Sequence, residues 1–479
     1  MVKARKYVVI NEFKGEPKRE DFEIVEYELP PIKKGEILVK VEWVSVDPYQ
    51  RLYNNSYQRY DMYGLQVGLV EESKDPRYPV GTRVVSHKGW CDYCVIDTQE
   101  VDKVAGKIYK VPNMNGLSNS LAVGAIGMPG ATAYFALLDY CKPKAGETVV
   151  VSGAAGAVGA LVGQIAKIKG CKVIGFAGTD EKVKWLESIG YDKAINYKTA
   201  DISAALKEAA PDGVDCYFDN VGGELSSEIM YQMNSLGRVA VVGSISSYNA
   251  DSTVTVTNKP KVTIVQPVIL LKRLTVKGFV IWHEVYRFPE AFDQLIKWIH
   301  SGQLKNREHV TEGFENIFDA FVGMLKGENI GKASIGFDKA INYKTANISA
   351  ALKEAAPEGV DCYFDNVGGE LSSEIMYQMN VYGRVAVIGS ISSYNADPTN
   401  KPKVTLLQPI ILYKRLTVTG FVIWDVIDRF PEAFDQILKW IHSGQLKPRE
   451  HVTEGFENIF DSFMGVLKGD NIGKGVVKL

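Results

Sequence analysis

Gly153, Gly156 and Gly159 fall three residues apart between an apolar run, TVVVS (148–152), and a stretch of helical period, ALVGQIAKIKG (160–170). Glycine at such a junction lets the chain turn sharply and lets a pyrophosphate approach the backbone. The helix start that follows offers N–H groups and the positive end of its dipole. Held between a strand and a helix, the triplet points to dinucleotide binding more than to a structural turn.

About 20 residues further on, NAD-binding chains place an acidic residue on the ribose 2′-hydroxyl. Here the second apolar run, KVIGFAG (172–178), gives way to Thr179, Asp180, Glu181 and Lys182. Two readings stand at this point. Asp180 holds the ribose, or Asp180 is a helix-start residue favoured by the dipole while Lys182 faces a 2′-phosphate.

Metal chemistry has less to stand on. Cys91 and Cys94 have ligand spacing, but no second cysteine pair follows, and on a strand two residues three apart point to opposite faces. The six histidines (His87, His283, His300, His309, His442, His451) form no metal-binding pattern and are expected at the surface or at helix ends. No metal is expected.

The elements that must position these residues differ along the chain. Residues 1–140 read as short alternating strands with turn punctuation, a β-rich domain. From Glu147, near-continuous apolar strands alternate with helical stretches, the signature of an α/β, doubly wound parallel sheet. A repeat then intervenes. Residues 193–251 and 339–397 differ at five of 59 positions, and the likeness runs on to Lys332 and Lys474. The offset is 146 at first and 142 after the second copy omits four residues beyond Asn395. Nothing before the second copy corresponds to 147–187, so it lacks the glycine turn and is not expected to bind a dinucleotide alone. The expected division is 1–140, a β-rich catalytic domain; 141–333, a cofactor domain; and 334–479, a duplicated half of that domain with a closing segment.

The chain of 479 residues is 46% hydrophobic and 23% charged, enough for more than one core. A formal net charge of −2 gives no electrostatic footprint for nucleic acid or an anionic membrane. Six cysteines, two of them at equivalent repeat positions, suit reduced thiols and a cytoplasmic location. No signal peptide or membrane span is expected.

The segments VDPYQR (46–51), GMPGATAYF (127–135), GAAGAVGALVGQIAKIKGCKVIG (153–175), VDCYFDNVGGE (214–224) and GFEN…GMLKGENIGK (313–332) resemble the zinc-independent medium-chain reductases of the prostaglandin reductase and leukotriene 12-hydroxydehydrogenase group. The likeness covers 1–333, and again 334–479. It implies a GroES-like β-rich catalytic domain, a Rossmann domain, and a C-terminal segment that returns to the catalytic domain. It also implies NADPH-dependent hydride transfer to the β-carbon of an α,β-unsaturated ketone or aldehyde. Carried over by motif, Gly156, Ala157, Val158 and Gly159 would take the pyrophosphate, and Lys182 and Tyr197 the 2′-phosphate. Asn220, the loop of Val242, Gly243, Ser244, Ile245, Ser246, Ser247 and Tyr248, then Phe279, Val280, Ile281 and Asn329, would line the remainder. The resemblance thus favours NADPH, with Asp180 at a helix start.

Where zinc alcohol dehydrogenases carry Gly-His-Glu, this chain reads Gly64-Leu65-Gln66. Without a metal, an enolate formed on hydride addition needs hydrogen-bond donors and a proton source. Tyr49 and Tyr248 are the candidates, with the cofactor's ribose hydroxyl as an alternative donor. A packed aromatic with a satisfied hydroxyl is the competing reading for Tyr49. Relatives place a tyrosine shortly before the last Rossmann strand, where this chain has Val265, and Leu407 in the second copy. Allylic alcohol oxidation, quinone reduction and cofactor binding without turnover are the other activities considered.

Two assemblies fit. Residues 1–333 could fold in order and borrow a closing strand from the chain end. Alternatively 1–187 could join 334–479 and leave 188–333 as a passenger. The first avoids the loop-closure cost of skipping 146 residues and is the expected one. Either way the surplus copy presents unpaired strand edges that favour a homodimer or an intramolecular pseudo-dimer.

Overall fold

The computed structural model describes residues 2–305 apart from 12, 14–16, 46, 48, 51–58, 100, 103–105 and 248–260, then residue 314, and then 348–365, 368–387, 390, 403–420, 450–454 and 474–478. In the N-terminal region β1 (Val2–Val9) pairs antiparallel with β2 (Phe22–Leu29). A second antiparallel sheet is built from β3 (Glu36–Val44), β5 (Gln66–Ser73), β6 (Arg83–Ser86), β7 (Tyr93–Asp97) and β10 (Tyr109–Lys110). The short β4 (Tyr60–Asp61) joins β1, and β8 (Val101–Asp102) pairs with β9 (Gly106–Lys107). Alternation is visible in β3 to β7, where Ile37, Val39, Val70, Val84 and Ile96 point to one core.

After α1 (Met128–Phe135) the chain enters a parallel sheet. Its elements are β11 (Thr148–Val151), α2 (Gly159–Ile168), β12 (Lys172–Ala177), α3 (Asp180–Ser188), β13 (Lys193–Asn196), α4 (Ile202–Ala209), β14 (Val214–Asp219), α5 (Gly223–Tyr231) and β15 (Met233–Val241). The first copy ends its described part with β16 (Lys261–Thr263), α6 (Gln266–Leu271), β17 (Thr275–Gly278) and α7 (Phe288–His300). Six parallel strands lie in the order β13-β12-β11-β14-β15-β17, the doubly wound arrangement.

Both faces of this sheet are covered, which is why its strands read as unbroken apolar runs. Val149 and Val151 face one core, with α1, α2 and α7, while Val150 faces the other. Each such fully buried valine stabilises the fold by about 2 kcal/mol. The sheet is completed by the first copy, in chain order, as in the first of the two assemblies, though without its borrowed closing strand.

The second copy repeats the same pieces as α8 (Ile348–Ala355), β18 (Val360–Asp365), α9 (Gly369–Met376), β19 (Met379–Val387), β20 (Lys403–Thr405), α10 (Gln408–Tyr413) and β21 (Thr417–Gly420). Its three parallel strands extend the sheet to nine, because β21 lies antiparallel against β17. The register is self-complementary. Val276 faces Val418, its own repeat equivalent, and Thr275 and Lys277 face Thr419 and Thr417. The same holds for β16 and β20, centred on Val262 and Val404. Helices cross the seam, with α6 over β21 and α10 over β17. Val265 and Leu407 are buried in the core that both copies share.

One expectation is corrected. The chain end does not supply a closing strand to the N-terminal sheets: β23 (Lys474–Lys478) pairs in parallel with β22 (Glu450–Glu454) of its own copy. Contact with the N-terminal domain comes instead from the first copy. Phe314 packs on Tyr7 with ring centres 5.3 Å apart, and the Arg5 guanidinium lies 4.8 Å over the Phe314 ring.

Candidate functional site

β11 and β14 are neighbours, but the chain leaves them in opposite directions. The helix after β11 sends Leu161, Val162 and Ile165 to one face, whereas the helix after β14 sends Leu225 and Ile229 to the other. The divergence opens a crevice at the strand ends, the place where doubly wound sheets bind ligands.

The glycine turn lines this crevice, and its three glycines do different things. Gly153 has φ +57°, a left-handed conformation that closes the turn. Gly156 is exposed, and a Cβ placed there would meet only the Gly153 carbonyl oxygen, at 3.3 Å. Gly159 opens α2 buried, and a Cβ there would lie 2.5 Å from the Gly153 oxygen and 2.7 Å from Ala154 Cα. These are the turn, the open face toward a pyrophosphate and the close helix–strand contact of a dinucleotide site. Ala157 is exposed beside Gly156, and Val158 is half-buried ahead of the helix.

At the far side of β12, Thr179 caps α3 by accepting from the Lys182 amide at 3.3 Å. Asp180 sits in the first turn, and its carboxylate accepts from Asn196 Nδ2 at 2.7 Å. The acidic group is therefore engaged sideways, while the Lys182 side chain is exposed. Tyr197, half-buried, brings its hydroxyl within 3.0 Å of a Cβ placed on Gly178. Burial pushes its phenol above the usual range. The Tyr197 phenol and Lys198, whose Cε lies 3.4 Å from the same Cβ position, thus flank the turn that ends β12.

Between β11 and β14 lies a network that motif reading missed. Asp219, wholly buried, accepts from Ser226 Oγ at 2.6 Å, Tyr217 Oη at 2.8 Å and Ser152 Oγ at 3.0 Å. It also accepts from the amides of Gly222 and Val221 at 2.8 and 3.0 Å. Burial raises its carboxyl above the ordinary range, and these donors pull it back. Asn220 bridges the two strand ends, its Nδ2 donating to the Ser152 carbonyl at 2.7 Å. The Val242 and Gly243 amides donate to the Asp219 carbonyl at 2.8 and 3.0 Å, and the Ser246 amide donates to the Val221 carbonyl at 3.0 Å. Ser244 and Ser247 are buried in the same loop, with Ile245 inside its short 3-10 turn. Phe279 is buried beside it, donating its amide to the Val241 carbonyl at 3.0 Å, and Val280 and Ile281 follow. Tyr248, Asn329 and the Ile245 side chain lie outside the described residues. An Asp-Asn pair closing an apolar strand shortly before Gly-Gly is the sequence signal that could have pointed to Asp219.

In the N-terminal domain Tyr49 packs edge-on against Tyr63, ring centres 6.3 Å apart, and Tyr63 stacks on His87 at 5.7 Å. His87 is half-buried in this aromatic series rather than placed at the surface as expected. The cysteine expectation also needs correction. Cys91 bridges to Lys6 ahead of β7, so strand alternation has not begun there, and both sulfurs turn to one side chain. Gln66 Nε2 donates to Cys94 Sγ at 3.1 Å, and the Cys91 thiol donates to Gln66 Oε1 at 3.4 Å. The Cys94 contact and burial raise the Cys91 thiol far above its usual range, which keeps it protonated. Among the described residues no group of three or more His, Cys, Asp or Glu is placed to hold a metal ion.

Comparison with known proteins decides the family. A profile described as the N-terminal domain of oxidoreductase matches residues 5–104, and one described as zinc-binding dehydrogenase matches 157–301 and 330–442. Prostaglandin reductase 1 of Bos taurus is 48% identical over 339 residues, covering 70% of this chain and 99% of the relative. The chain belongs to the medium-chain dehydrogenase/reductase family, in its prostaglandin reductase group.

A second relative of this reductase, the NADP(+)-dependent 2-alkenal reductase of Nicotiana tabacum, is 38% identical, covering 69% of this chain and 96% of its own. Among solved structures, CurA of Vibrio vulnificus in complex with NADPH is similar with a TM-score of 0.60 at 35% identity, covering 67% of this chain and 96% of that one. The residues on the crevice are compatible with such a dinucleotide: Gly156 is exposed at the start of α2, the Asp180 carboxylate is engaged by Asn196, and buried serines line the loop after β15. Among the described residues no helix of this reductase is long and apolar enough to cross a membrane.

Proposed function

We propose that this reductase saturates the carbon–carbon double bond of α,β-unsaturated ketones and aldehydes, of the lipid or 15-oxo-prostaglandin kind, using NADPH. The observation that carries this reading is the ribose end of the crevice. Asp180 is engaged by Asn196, Tyr197 lies against the turn that ends β12, and Lys182 is exposed in the first turn of α3, a setting that suits a 2′-phosphate more than a bare 2′-hydroxyl. NADPH held there supplies the hydride.

This chain's own residues do the rest. Gly156, Ala157, Val158 and Gly159 receive the pyrophosphate, and Lys182 and Tyr197 the 2′-phosphate. Asn220, Val242 to Tyr248, Phe279 to Ile281 and Asn329 line the nicotinamide end. Hydride addition leaves negative charge on the substrate oxygen. Tyr49, on the aromatic series with Tyr63 and His87, is the proposed donor to that oxygen, with Tyr248 as the second candidate. The proposed units are residues 1–140 as catalytic domain, 141–333 as cofactor domain and 334–479 as the duplicated half. In this reading the last unit makes an intramolecular pseudo-dimer, and the protein works in the cytoplasm.

The test is consumption of NADPH by the purified chain with a medium-chain trans-enone, run beside NADH and a Gly156→Asp variant. NADPH-specific turnover abolished by the variant supports the reading. Binding without turnover would leave a cofactor-binding protein, and turnover with quinones alone would move the substrate class.

A further inference from the structure

The seam between the copies brings one side chain of the second copy to the first copy's crevice. Gln408 opens α10 and is 3% exposed. Its Cβ stands 3.4 Å from a Cβ placed on Gly222, whose other near neighbours are Ser244 Oγ and Cβ. Gly222 has φ +67° and donates its amide to Asp219 Oδ1, so it is part of the loop that sets Asn220. The space a side chain at Gly222 would need is thus taken by Ser244 of its own copy and bordered by Gln408 of the other.

The repeat supplies a built-in comparison. Gln266 is the equivalent of Gln408, opens α6, is 1% exposed, and has neither amide atom hydrogen-bonded. Its helix lies over β21 and β19, in the copy that has no glycine turn. One glutamine therefore buttresses a loop of the candidate cofactor site, and its twin lies over a half-domain without one.

We infer that Gln408 is a positioning residue for the cofactor site: the second copy, through the contact of Gln408 with Gly222, fixes the Asp219–Gly223 loop at the nicotinamide end of the first copy's crevice. This inference rests on the cofactor reading given above. Gln408 does not touch the reacting atoms. It acts by shape, because a residue with no branch at Cβ fits against the glycine, whereas a β-branched one would push the loop and with it Asn220.

The experiment uses the full chain and three variants: Gln408→Val, which crowds Gly222; Gln408→Met, unbranched and of similar length; and Gln266→Val, the same change at the twin position. Melting temperature, NADPH affinity by nucleotide fluorescence, and the kcat and KM for NADPH are measured on each. Gln408→Val is expected to raise the KM for NADPH roughly tenfold, the scale of effect that a small misplacement of a positioning group produces. Gln408→Met keeps the wild-type KM, and Gln266→Val leaves the KM unchanged. Equal KM shifts in the two valine variants, or none in Gln408→Val, overturn the inference. If Gln408→Val does not fold, Gln408→Thr against Gln266→Thr, branched at Cβ in the same way, carries the same comparison. Failure of the underlying cofactor reading shows separately, as wild-type chain that does not bind NADPH or that binds it equally with Gly156→Asp.

Discussion

Asn220 donates its side-chain amide to the Ser152 carbonyl at 2.7 Å, tying the end of β14 to the end of β11 at the point where the sheet's winding reverses. The bond spans the mouth of the crevice, so the loop bearing Asn220 and the turn bearing the glycines move as one piece.

Removing that tie tests its role. Asn220→Ala should lower stability by about 1–3 kcal/mol, the cost of leaving the buried Ser152 carbonyl without its donor. NADPH binding should suffer as well, about tenfold in KM, since the loop is released at the ligand. Thermal unfolding and cofactor titration of the same preparation check both halves. An affinity equal to wild type would sink the assignment.

The glycines separate binding from folding. Gly156→Val adds a side chain to an exposed site and should fold normally yet lose NADPH binding. Gly159→Val drives its side chain into the Gly153 and Ala154 backbone and should fail to accumulate as folded protein. Circular dichroism alongside cofactor binding distinguishes the two.

Discrimination between cofactors should sit on Lys182. Lys182→Ala removes a charged contact worth about 1.5–3 kcal/mol, so the KM for NADPH should rise roughly ten- to a hundredfold while the KM for NADH stays put. Parallel rises for both cofactors would place Lys182 elsewhere in the mechanism.

Tyr49 is assigned to charge stabilisation. Tyr49→Phe keeps the ring against Tyr63 and removes only the hydroxyl, so kcat should fall about a hundredfold with little change in the KM for NADPH. Steady-state kinetics with a saturating enone reads this directly, and an unchanged kcat would shift the role to Tyr248.

Asp47 predicts a pH effect on stability. It is buried, accepts from Ser45 Oγ at 2.6 Å, and burial pushes its carboxyl from 3.8 up to about 6. A folded-state value above the unfolded one means its stabilising contribution is full below about pH 4 and is lost as pH rises through about 6. Relative to Asp47→Asn, the wild type should lose about 3 kcal/mol across that window. Denaturant unfolding of both proteins at the two ends of the range measures the difference, and parallel curves would refute it.

The sheet was legible because burial on both faces leaves a run such as Thr148–Val151 without alternation, and the glycine turn was legible because its spacing is local. Asp219 was not, since its donors come from Ser152 and Ser226 and become neighbours only once β11 and β14 pair. The Cys91–Cys94 reading failed because alternation was assumed one bridge too early, and both thiols meet Gln66 instead. The closing strand failed for a similar reason. The chain end was expected to close the fold of residues 1–333, but its partner, Glu450–Glu454, lies in the same copy. His87 was passed over because a lone histidine carries no pattern until Tyr63 is stacked on it.

The antiparallel meeting of β17 and β21 has a kinetic consequence. Two separate chains joined by the same three residue pairs would part on dilution. Here both sides of the seam belong to one polypeptide, so each strand sees its partner at an effective concentration set by the connecting chain and not by how much protein is present. The seam beside Gln408 should therefore stay joined in a dilute cell extract as in a concentrated one.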